Sequence, residues 1–220
     1  LLVTQTGQYG PTTASWSAAE PIIIGLDSAR VQQSAAAVAD FDGDGDKEIV
    51  VGAIDGLLHV IAFDGTTWRV VWSHQVAEEI NAAGPAIKNP DNSIRTTAAI
   101  ADLDRDGHLD IVVTAGGDPH EPVLSDHRNG GVLVYRYNAN WSFSLIKQLS
   151  ADGSSGWPQP RIDQIGWPAP GYSNPDGYWD GILTTPVLGD LDGDGDLEIV
   201  VEGLDRRIHA YADHQEYRRL

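Results

Sequence analysis

Asp40-Phe-Asp-Gly-Asp-Gly-Asp-Lys-Glu48 decides the fold of this chain, because its pattern returns as Asp102-Leu-Asp-Arg-Asp-Gly-His-Leu-Asp110 and as Asp190-Leu-Asp-Gly-Asp-Gly-Asp-Leu-Glu198. Each nine-residue copy sets carboxylates at positions 1, 3, 5 and 9 and a glycine at position 6, where the backbone must bend sharply. Alternating acids on a short loop suit calcium, which takes about six to eight oxygen ligands at about 2.3 to 2.6 Å in a flexible shell. The first site is read as Asp40, Asp42, Asp44, the carbonyl of Asp46 and Glu48. The second is Asp102, Asp104, Asp106, the carbonyl of His108 and Asp110, and the third Asp190, Asp192, Asp194, the carbonyl of Asp196 and Glu198. Without a cation such crowding is costly, since two carboxylates about 4 Å apart repel by roughly 4 kcal/mol at an effective dielectric constant of about 20.

For any one loop the competing reading is an ion-free turn, because Asp and Gly favour turns on their own account. Three copies in equivalent contexts weigh against it. An EF-hand fits poorly, because its loop of about twelve residues ends in Glu between helices. Here the β-branched runs Ile49-Val-Val51, Ile111-Val-Val113 and Ile199-Val-Val201 follow directly.

The loop belongs to a larger repeated unit, the mark of a repeat architecture. An apolar lead-in enters it (Ser34 to Ala39, Thr96 to Ala101, Thr184 to Gly189) and the Ile-Val-Val strand leaves it. Third strands are predicted at Leu57 to Phe63, Gly131 to Tyr137 and Arg207 to Tyr211. Fourth strands are predicted at Trp68 to Ser73 and Trp141 to Ile146, both opened by tryptophan. Four antiparallel strands make a propeller blade. The expected fold is therefore all-β, a β-propeller or propeller segment of four-stranded antiparallel blades with calcium-binding loops.

Residues 1–33 form an N-terminal segment that offers an outer strand to a preceding blade, and 34–75 and 96–149 form blade repeats 1 and 2. Residues 150–183 are a Trp-, Pro- and Gly-rich insertion, and 184–220 an incomplete blade repeat 3. Closed propellers use about four to eight blades, so the chain is expected to be part of a larger propeller, completed by further sequence or a neighbouring chain. The absence of methionine, even at position 1, accords with a processed product or an internal fragment.

The Asp-x-Asp-x-Asp-Gly-x-x-Asp/Glu loops with their hydrophobic flanks resemble the FG-GAP and VCBS repeat family, the propeller family of integrin α subunits. The resemblance covers most of residues 34–149 and 184–214. It implies that the loop joins the first two strands of a blade and that its calcium is structural. Of the Phe-Gly half of the FG-GAP signature only Val51-Gly52-Ala53 remains, and VCBS-type bacterial surface proteins are the closer likeness.

Composition narrows the function. There are 32 acidic against 14 basic residues, a formal charge of -18, so phosphate backbones are repelled and nucleic acid is excluded as a partner. With no cysteine there is no disulfide framework, and bound cations can stabilise the fold instead. Calcium modules of weak affinity work where the ion is plentiful, which points outside the cell. No apolar run approaches the roughly 20 residues of a membrane span.

In an up-and-down blade the three acidic loops share one propeller face. The long insertions, 75–95, 115–130 and 150–183, fall on the other, and long loops on a rigid scaffold are where binding sites usually lie. Trp157, Trp167, Tyr172, Tyr178 and Trp179 either cap the fold or present a contact surface for protein, as aromatic hot spots do, or for glycan. Asp118, His120, Glu121, Asp126 and His127 read as a solvated loop rather than an acid-base site, having no motif spacing. Asn140-Trp-Ser142 has the form of a glycosylation sequon. The expectation is a non-enzymatic, extracellular or cell-surface module of bacterial type with three calcium ions. Its role is structural or adhesive, with self-association into a filament as a variant. The competing class is a secreted polysaccharide lyase acting on the long-loop face.

Overall fold

The computed structural model describes residues 34–76, 94–115, 131–149, 184–202, 208–211 and 217–218. These form three four-stranded antiparallel sheets, each in chain order. The first comprises β1 (Ala37–Ala39), β2 (Glu48–Gly52), β3 (Leu57–Phe63) and β4 (Trp68–Gln75). The second comprises β5 (Ala99–Ala101), β6 (Asp110–Ala115), β7 (Gly131–Ala139) and β8 (Ser142–Leu149). The third comprises β9 (Val187–Gly189), β10 (Glu198–Glu202), β11 (Ile208–Tyr211) and β12 (Tyr217–Arg218). In every sheet the acidic loop joins the first strand to the second.

Alternation along the strands explains how the sheets stack, since successive side chains leave a strand on opposite faces. In the second sheet Ile111, Val113, Leu133 and Tyr135 pack with Val50, Leu58 and Val60 of the first. The intervening residues Val112, Val132 and Val134 pack with Ile199, Val201 and Tyr211 of the third. A sheet covered on both faces needs apolar residues on both, and β6 is accordingly buried along its whole length. Position 2 of the acidic loop reaches the next sheet. Phe41 lies with its ring 5.8 Å from Tyr137 and 5.4 Å from Phe143, while Leu103 joins the core shared with the third sheet.

The repetition extends to irregularities. The β3–β4 ladder shifts register between Val60 and Ile61, and the β7–β8 ladder between Val134 and Tyr135, the same place in each unit. Such bulges bend a strand and increase its twist. A hydroxyl chain also crosses the units. Ser34 Oγ donates to the Thr96 carbonyl at 3.0 Å, Thr96 and Thr114 hydroxyls meet at 2.6 Å, and Thr114 Oγ1 donates to the Thr184 carbonyl at 3.0 Å. Gly52 is required by close approach, because a Cβ there would collide with Ile94.

Two strand limits differ from the sequence reading. Strand β7 continues to Ala139, and Trp141 does not open β8. Asn140 and Trp141, with φ of 52° and 57°, form a two-residue hairpin turn of the kind that needs left-handed backbone at both central positions. Trp141 instead packs against the core from the turn, its ring 5.9 Å from Tyr137. The third unit carries a two-residue fourth strand, β12, paired to β11 through Ala210–Arg218 and Tyr211–Tyr217.

Candidate metal centres

A common hydrogen-bond frame shapes the three loops. The closing acid accepts the position-2 amide in each: Phe41 N–H to Glu48 Oε2 at 2.8 Å, Leu103 to Asp110 Oδ2 at 3.2 Å, and Leu191 to Glu198 Oε2 at 2.6 Å. The position-1 acid accepts amides from the middle of its loop, Gly43 and Gly45 for Asp40, Asp106 and Gly107 for Asp102, and Gly193 for Asp190. Asp44, Asp106 and Asp194 each accept the position-7 amide, from Asp46, His108 and Asp196 at 2.8, 2.9 and 2.9 Å. These are the local side chain to backbone bonds that Asp offers in turns. The glycines at position 6 all take left-handed backbone, with φ of 94°, 90° and 97° at Gly45, Gly107 and Gly195.

This frame gathers carboxylates. Oxygens of Asp40, Asp42 and Glu48 lie within 4.8 Å of one another, as do those of Asp102, Asp104 and Asp106 and those of Asp190, Asp192 and Asp194. Asp44, Asp110 and Glu198 fall outside these tight groups while remaining on the same loops. The donor set in the first and third loops is all hard oxygen, the chemistry that suits calcium or magnesium rather than a softer metal. Glu48 shows the electrostatic demand. Burial first, and then the charges of Asp42, Asp44 and Asp40, lift it from 4.5 to about 7 against the pull of the Phe41 amide. A cation held among these carboxylates would favour the ionised form of Glu48.

The second loop is arranged differently. Its residue opposite Asp110 in the β6–β7 ladder is Arg136. Arg136 Nη2 donates to Asp104 Oδ2 at 2.7 Å, Nη1 lies 2.6 Å from Asp106 Oδ2, and Nε donates to Asp110 Oδ1 at 3.0 Å. Asp110 is fully buried, and burial raises its carboxyl pKa while the Arg136 hydrogen bond opposes. Asp104 is also pushed upward by burial, but the Arg136 hydrogen bond and charge hold it below the ordinary carboxylate value. Arg136 is shifted upward in turn, chiefly by its hydrogen bond to Asp110. One oxygen, Asp104 Oδ1, is buried without a hydrogen-bond partner.

A second arginine links the loops. Arg105 stands at position 4, where the other copies have Gly43 and Gly193, and it keeps their left-handed backbone at φ 56°. Its Nη2 donates to the Asp194 carbonyl at 2.8 Å and its Nε lies 3.6 Å from Asp196 Oδ1. A Cβ at Gly195 would collide with this guanidinium. The motif reading missed both arginines. Arg105 was visible as a break in the Gly pattern. Arg136 stands on another strand, and only aligning third strands would have exposed it.

Several expected site residues lie outside the described residues: Trp157, Trp167, Tyr172, Tyr178 and Trp179, and also Asp118, His120, Glu121, Asp126 and His127. Among the described residues no helix is long and apolar enough to cross a membrane.

Comparison with known families matches an FG-GAP-like repeat over residues 40–113 and an FG-GAP repeat over residues 95–135. A search of curated proteins gives no match. FG-GAP repeats imply a β-propeller, often bind calcium and occur in extracellular proteins. Both matched segments run through the acidic loops and strands described above, and the two matches support an FG-GAP repeat assignment for residues 40–135.

Proposed function

We propose that this chain is a calcium-stabilised propeller module working outside the cell, with a structural or adhesive role. The observation that carries the reading is the repeated loop frame, which crowds Asp40, Asp42 and Glu48, and again Asp190, Asp192 and Asp194, onto the hinge between the first two strands of a sheet. Calcium held there by Asp40, Asp42, Asp44 and Glu48, and by Asp190, Asp192, Asp194 and Glu198, with the carbonyls of Asp46 and Asp196, would offset their mutual repulsion and fix the hairpin.

Continuation into further blades is supported by the outer face of the third sheet. Leu191, the counterpart of the buried Phe41 and Leu103, is 54% exposed, and Val187 of β9 and Ile208 of β11 are 63% and 61% exposed. A neighbouring blade would cover them. Contact with a protein or glycan at a bacterial cell surface, or with further copies of the chain, is assigned to the long connections, where the aromatic stretch 150–183 supplies Trp and Tyr.

Differential scanning fluorimetry in calcium and in chelator tests the structural limb, with a lower melting temperature expected in chelator. An unchanged melt refutes it. Binding of the labelled chain to immobilised surface glycans and proteins, in calcium and in chelator, tests the adhesive limb. Steady release of unsaturated products from acidic polysaccharides would favour a lyase instead.

A further inference from the structure

The three acidic loops share a spacing of acids, but an arginine from a neighbouring strand reaches into only the second among the described residues. Resting on the calcium reading of the first and third loops, we propose that the Arg136 guanidinium is the resident cation of loop 102–110, so that this chain takes calcium at two of its three acidic loops.

The geometry is that of a filled site. Three nitrogens of one guanidinium face three different carboxylates of the loop, at 2.7 Å to Asp104, 2.6 Å to Asp106 and 3.0 Å to Asp110. Charge-assisted bonds from a planar fork are among the strongest polar contacts a protein makes. Calcium seeks about six to eight oxygens, and in this loop Asp104, Asp106 and Asp110 each already give an oxygen to Arg136. Arginine keeps its charge at any ordinary pH, so the guanidinium leaves only by being displaced.

The sequence carries matching changes in this unit alone. Arg136 pairs with Asp110 across β6 and β7. In the first unit, one residue beyond the Ile49–Ile61 pair, Glu48 is opposite Ala62. In the second unit, where the third strand supplies arginine, the closing acid is Asp, one methylene shorter; in the first, where it supplies Ala62, the closing acid is Glu48. The shorter acid leaves room above the strand pair for the guanidinium. Among the described residues, the other basic groups near the loops do not fill them. Lys47 is 3.7 Å from Asp40 with its side chain 60% exposed, and Arg105 engages the Asp194 carbonyl and Asp196 rather than the Asp190, Asp192 and Asp194 carboxylate cluster.

The consequence is a division of labour. The middle sheet, packed on both faces, closes its hairpin without a metal, and the flanking sheets depend on one. Native mass spectrometry of the 220-residue chain across a calcium titration tests this. The wild-type chain is expected to bind two calcium ions, Arg136→Ala and Arg136→Gln three, and Ala62→Arg one. Three ions in the wild type, or no gain on removing Arg136 in either variant that folds by circular dichroism, overturns the inference and leaves the calcium reading standing. No ion bound by the wild type overturns the calcium reading itself, and this inference with it.

Discussion

Loops 40–48 and 102–110 have the same spacing of acids and the same amide-to-carboxylate frame, yet they meet their charge in opposite ways. In the first, Glu48 is buried among Asp40, Asp42 and Asp44, and its carboxyl is lifted to about 7. In the second, Asp110 is more completely buried, and an arginine from the neighbouring strand stands 3.0 Å away. Near-identical local sequence therefore does not determine whether a site asks for an ion. The decision lies with one residue on the third strand.

The largest effect should come from removing that residue. In chelator, Arg136→Ala leaves the buried Asp110 without its charge partner, and breaking a buried ion pair costs about 3 to 5 kcal/mol. Urea denaturation should show this loss, with part recovered on adding calcium. An equal loss with no recovery would mean the emptied loop cannot take the ion. Next in size is calcium removal from the wild-type chain. A site saturated tenfold above its dissociation constant contributes about 1.4 kcal/mol, and calorimetry with and without chelator should register that amount for each of loops 40–48 and 190–198.

The pH profile sharpens the contrast. Glu48 has its native pKa, about 7, above the ordinary 4.5, so the native state holds a proton that the unfolded chain releases between these values. Its contribution is fully present below about pH 4.5 and is lost as pH rises to about 7. Urea midpoints in chelator should fall over that window, and Glu48→Gln should flatten the fall. Smallest of all is Arg105→Gly. It relieves left-handed backbone worth about 1 kcal/mol and deletes an exposed tie worth about 0 to 1 kcal/mol, so the denaturation midpoint should hardly move. A large loss would show that the tie between the second and third units matters more than its exposure suggests.

Strands were legible where their apolar runs were bounded by the acidic loops: Ile49-Val-Val51, Ile111-Val-Val113 and Ile199-Val-Val201 all lie in second strands. The fourth strand of the second unit was misplaced because Trp141 looks like a strand residue, whereas the turn needed positive φ at two successive positions. The carboxylate groups were legible because a loop of nine residues constrains its own side chains. The partner of Asp110 was not, since Arg136 is 26 residues away and only strand pairing brings it there.

The sequence by itself determined the repeat, the all-β class and the acidic turns, because each rests on contacts between residues close along the chain. Only the tertiary structure decided which loop contains its own cation, which face of each sheet is covered and which neighbour Phe41 and Leu103 anchor to. Those outcomes depend on register between strands and on stacking between sheets, and a linear spacing of acids encodes neither.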